Sequence, residues 1–88
     1  MTRVEFVVTP EFSARYDALD DDAAECVDAV IFRLLAESEG AWARQNRVVG
    51  EHGWAWLIVI ACPRGEELGL YWQVLTDESL VLVLLLDR

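Results

Sequence analysis

Trp54-Ala55-Trp56-Leu57-Ile58-Val59-Ile60-Ala61-Cys62, Glu67-Leu68-Gly69-Leu70-Tyr71-Trp72-Gln73-Val74-Leu75-Thr76 and Leu80-Val81-Leu82-Val83-Leu84-Leu85-Leu86 fill the last third of the chain, separated by Pro63-Arg64-Gly65-Glu66 and Asp77-Glu78-Ser79. Short apolar runs rich in β-branched and aromatic residues, each bounded by turn formers, predict three consecutive strands joined as a meander. In the middle run Leu68, Leu70, Trp72 and Val74 share one face, and Glu67, Gly69, Tyr71 and Gln73 share the other, because side chains alternate along a strand. Gly69, inside that strand, suggests a bulge. The last run is apolar on both faces, so both faces need cover.

Upstream of the meander, Val4, Phe6 and Val8 alternate with Glu5, Val7 and Thr9 and predict one N-terminal strand with a buried face. Pro10 ends it, and Thr9-Pro10-Glu11 reads as an N-cap with proline at the first helical position. A helix of about two turns follows, with Phe12, Tyr16 and Leu19 on one side. Asp20-Asp21-Asp22 then caps a second helix, where negative charge favours the positive end of the helix dipole. Ala23, Val27, Val30, Ile31, Leu34 and Leu35 recur at three- and four-residue steps, an apolar stripe that runs to about Ser38 before Gly40. Residues 41–53 fit either a helical extension at Trp42-Ala43 or a strand at Arg47-Val48-Val49, with Gly50-Glu51-His52-Gly53 as a turn in both cases. The fold class is therefore α+β. It is a single domain over residues 1–88, β-α-α-β-β-β, with a helical hairpin on one face of a mainly antiparallel sheet. Two short helices cover one face only, so a partner chain is expected on the other.

Composition supports that expectation. Of 88 residues, 55% are apolar, including four Trp, while a domain of this size buries only roughly 60 to 65% of its unfolded surface. The longest apolar runs fall well short of the ~20 residues that span a bilayer, and the N-terminus lacks a secretory pattern, so a cytoplasmic protein with no membrane role is expected. Cys26 and Cys62 have neither metal-ligand nor close redox spacing and read as small buried hydrophobes. The six acids between Asp17 and Asp28 read as a solvated helix start, with no metal and no cofactor expected.

The net charge of −9 comes from sixteen acids and seven Arg, with no Lys. Such a chain repels nucleic acid at long range. Residues 40–65 are the exception, with Arg44, Arg47 and Arg64 against Glu51 alone. Trp42, Trp54 and Trp56 in that region invite base stacking, though core or partner contact is favoured by the overall charge. His52, the single histidine, reads as a turn residue. No Ser or Cys pairs with a base for nucleophilic catalysis, and no glycine pattern cradles a phosphate. Arg47, Arg64 and Arg88 are candidates to meet at one sheet edge, and Tyr71, on the more polar face, is a candidate proton donor or stacking surface.

The opening Val4-Glu5-Phe6 strand followed by Pro10-Glu11-Phe12, the helical pair ending near Gly40, Gly69-Leu70-Tyr71 before Val74-Leu75, the turn at Asp77-Glu78 and the apolar strand ending in Asp87-Arg88 together resemble the RelE/ParE toxin superfamily of bacterial toxin–antitoxin modules. The resemblance covers nearly the whole chain. It implies a small sheet on a helical hairpin, neutralised by an antitoxin segment lying over it, or a homodimer through the same sheet face. It also implies either ribosome-dependent mRNA cleavage or gyrase as a target, and for phosphate contact it singles out Arg64, Tyr71 and Arg88 as catalytic candidates. The chain departs from the ribonuclease branch in three ways. Trp72 stands where many relatives carry Arg, no basic and aromatic tail follows Arg88, and the charge is acidic. A non-toxic dimeric interaction module that keeps the fold is the further alternative.

Overall fold

Thr9 joins the first strand to the first helix and fixes both to the far end of the chain. Its side-chain oxygen accepts from the Phe12 amide at 3.1 Å, capping the helix, while its hydroxyl donates to the Val83 carbonyl and its own amide donates to Leu82 O at 3.1 Å. The computed structural model describes residues 6–50, 53–63, 67–75 and 79–87. These form β1 (Phe6–Val8), α1 (Pro10–Asp17), α2 (Asp21–Glu37), α3 (Ala41–Arg44), β2 (Arg47–Gly50), β3 (Gly53–Ala61), β4 (Glu67–Val74) and β5 (Leu80–Asp87). His52, Arg64 and Arg88 lie outside the described residues, as does the turn at 76–78.

The five strands form one sheet in the order β1-β5-β4-β3-β2, with β1 parallel to β5 and every other pair antiparallel. The α+β class and the helical pair on a mainly antiparallel sheet are as the sequence predicts. Residues 41–53, left open between helix and strand, contain both: one turn of helix and then β2, which forms a hairpin with β3. Gly53 begins β3 at φ +89°, a backbone conformation that only glycine adopts without strain.

Alternation along β3 and β4 sorts the core. Cross-strand pairs Trp56/Trp72, Ile58/Leu70 and Ile60/Leu68 face the helices, joined from β5 by Leu80, Leu82 and Leu85. Val27 and Leu34 of α2 and Phe12 of α1 close over them. Trp72 and Leu70 are fully buried, and the predicted face of β4 is the buried one. The register irregularity in this ladder falls between Tyr71 and Trp72, where Val83 is the extra residue of β5, and not at Gly69. The slip lets Trp72 pair with Leu82 while Tyr71 pairs with Leu84, which keeps the apolar residues on both sides of the slip facing the core.

Two expectations are corrected. Phe6, Val7 and Val8 are all exposed, between 43% and 52%, instead of burying a face, because β1 lies at the sheet margin with β5 as its one neighbouring strand among the described residues. Cys26 and Cys62 are also not independent buried thiols. They form a disulfide across 36 positions, joining the first half of α2 to the residue after β3 with Cα atoms 5.8 Å apart. Their wide separation in sequence hid a contact that the docking of α2 on β3 creates.

Candidate functional site

Two surfaces gather the residues with chemical potential. The first is the sheet face away from the helices, carrying Ala55, Leu57 and Val59 on β3, Gly69, Tyr71 and Gln73 on β4, and Leu84 and Leu86 on β5. A shallow groove of about 270 Å³ lies here, and no helical residue lines it. The face is partly sealed by its own side chains: Ala55, Leu57 and Val83 are under one-tenth exposed, whereas Val59 and Leu86 remain 40% and 45% exposed. Tyr71 is half-buried between its register partners Leu57 and Leu84. Its neighbours in the ladder are thus apolar, a setting that uses the ring as cover. Arg64 and Arg88, its companions in the sequence reading, lie outside the described residues.

The second surface is on the helix side of the sheet, at the β2 end. Trp54, Trp56 and Trp72 stack in a row, ring centroids 4.7 Å apart and then 4.8 Å apart, the first contact edge-to-face and the second tilted. Arg47 lies over the Trp54 ring at 4.6 Å, and Arg44 over Trp56 at 4.5 Å and Trp72 at 5.8 Å. Arg44 Nε donates to the Ser38 carbonyl at 2.6 Å, and Trp72 Nε1 donates to Ala43 O at 3.2 Å, fixing α3 above the row. Nearby, Arg33 lies 3.9 Å from the Trp42 ring and pairs with Glu37. Sequence reading singled out Arg47 and the tryptophans separately but missed their assembly with Arg44. The signal was present in the acid-poor stretch from residue 40 to 65.

Comparison with known proteins found no match: no family model, no curated protein and no solved structure resembles this chain closely enough to count.

Among the described residues no cluster of His, Cys, Asp and Glu is arranged to hold a metal ion, and no helix is long and apolar enough to cross a membrane. Among the described residues one titratable group is clearly perturbed. Tyr16 donates to Asp28 Oδ1 at 2.7 Å, and that hydrogen bond, with partial burial and the negative charges of Asp28 and Asp17, raises its phenol above the ordinary 10.0. The pair bridges α1 to α2 and serves the helical layer. Arg15 likewise forms an ion pair with Asp87, tying α1 to the end of β5. Both cross-links strengthen the side of the sheet that is already covered, whereas the opposite face has no covering element among the described residues.

Proposed function

We propose that this chain is a RelE/ParE-like toxin-family protein of a bacterial toxin–antitoxin module, acting in the cytoplasm by binding an antitoxin and a cellular target. The observation that supports the reading is the layering. Every helix packs on one face of a β1-β5-β4-β3-β2 sheet, and the other face, centred on Leu57, Val59, Tyr71 and Leu86, has no covering element among the described residues. An amphipathic segment from an antitoxin supplies the missing apolar layer.

The binding reading is favoured over mRNA cleavage by Trp72. At the position where many relatives carry Arg, this chain places a fully buried indole whose N–H holds α3. That position is committed to packing. A homodimer through the same sheet face, the non-toxic alternative, needs no cleavage chemistry either.

The test is regulated expression in a bacterial host, with and without the adjacent reading frame. Growth arrest relieved by the neighbour's product, and a stable complex of the two on co-purification, are the expected results. Harmless expression with no complex removes the toxin reading. Arrest abolished by Arg64→Ala with Arg88→Ala points to the endonuclease instead. The Cys26–Cys62 disulfide runs against the cytoplasmic part of this reading, since a reducing cytoplasm keeps most such pairs as thiols.

A further inference from the structure

β2 is the last strand of the sheet, so one of its edges is unpaired among the described residues. Which backbone groups face outward follows from the ladder. Leu57 N donates to Asn46 O at 2.7 Å, which makes 46/57 a hydrogen-bonded pair, and alternation makes Val48/Ala55 the next one. The N–H and C=O groups of Arg47 and Val49 therefore point away from β3, in position to pair with another strand.

The side chains of the same two residues carry matching chemistry. Val49 is 84% exposed and sits opposite Trp54, itself 37% exposed, which makes an apolar spot. Arg47 is one pleat away on the same face, with Arg44 beside it on the tryptophan row. Arg15 and Arg33 are ion-paired, but Arg44 and Arg47 have no carboxylate partner among the described residues. The guanidinium carbons of both lie over indole rings, and apart from Arg44 Nε their N–H donors make no hydrogen bond among the described residues.

We propose that the outer edge of β2 is a docking site for an extended acidic segment of a partner polypeptide. The segment adds as a sixth strand on Arg47 and Val49, sets a carboxylate against Arg47 and Arg44, and lays an apolar side chain, two residues along, on Val49 and Trp54. This site is distinct from the open sheet face and does not depend on the toxin reading. A polypeptide fits better than a nucleic acid for two reasons. The outward amides and carbonyls are spaced for a strand, and a chain of net charge −9 opposes a polyanion, whereas one or two carboxylates meet the local positive charge within a screening length.

The test uses the intact protein, isotopically labelled, and a capped peptide of sequence Thr-Glu-Thr-Val-Thr-Glu. Saturable shifts of the Arg47 and Val49 amides are expected, with affinity falling at least about tenfold when Glu is replaced by Lys in the peptide or when Arg44→Gln and Arg47→Gln are combined. Val49→Pro is the second variant. It removes an outward N–H and no ladder bond, so the fold survives while the edge is blocked. Absence of shifts at millimolar peptide overturns the proposal. So does equal binding of the Lys peptide, tighter binding of a short single-stranded RNA at the same amides, or closure of this edge by a second copy of the chain in sedimentation.

Discussion

The indole N–H of Trp72, in the centre of the sheet, donates to the carbonyl of Ala43, in the one-turn helix α3, at 3.2 Å, with both residues fully buried. The bond satisfies two groups that otherwise lose hydration for nothing in return, and it holds Arg44, the next residue, over the tryptophan row. Trp72→Phe keeps an aromatic ring but strands the carbonyl and leaves a void. A loss of about 2 to 4 kcal/mol is expected in urea unfolding, with Arg44 released from its stack.

The disulfide between Cys26 and Cys62 constrains a 36-residue separation in the unfolded chain. By loop entropy this is worth roughly 3 to 4 kcal/mol. Thermal melts with and without a dithiol reductant should differ accordingly, and Cys26→Ser should show the reduced behaviour under both conditions. Identical melts, together with two titratable thiols in the untreated protein, would refute the bond.

Tyr16 links protonation to stability. Its phenol is held neutral by Asp28 in the folded state and is released to the ordinary value on unfolding, so the folded pKa is the higher one. The stabilisation is fully present below pH 10 and is lost as pH rises through the raised native value. Absorbance titration should show one tyrosine ionising late. Tyr16→Phe should remove that component, and Asp28→Asn should bring it back toward 10.0.

Asp20 accepts from the Ala23 amide at 2.8 Å and caps α2. Asp20→Ala should cost about 1 kcal/mol, read as a lower melting temperature with unchanged secondary structure at ambient temperature.

On β3 and β5 of the open sheet face, Val59 and Leu86 are large apolar residues exposed enough to accept charge without disturbing the core. Val59→Glu and Leu86→Glu should each shift stability by no more than about 0.5 kcal/mol. If this face binds a companion chain, the pair of substitutions should abolish complex formation on size exclusion. A complex that survives both places the interface elsewhere.

The amino-acid sequence by itself determined the first strand, the helical pair and the terminal meander, because each is encoded in local periodicity, and left α3 and β2 open. The alternation through Leu68, Leu70, Trp72 and Val74 names its own buried face, and the steps from Ala23 to Leu35 define the stripe of α2. Thr9 and Asp20 announced the helix starts through chemistry confined to a few neighbouring residues. Only the tertiary structure decided that Cys26 meets Cys62, that β1 lies exposed at a sheet margin, and that Arg44 and Arg47 share a row of indoles with Trp54, Trp56 and Trp72. The physical reason is range. Periodicity acts over one or two turns of chain, whereas these contacts join residues far apart in sequence, and their geometry exists only once α2 and α3 have docked on the sheet.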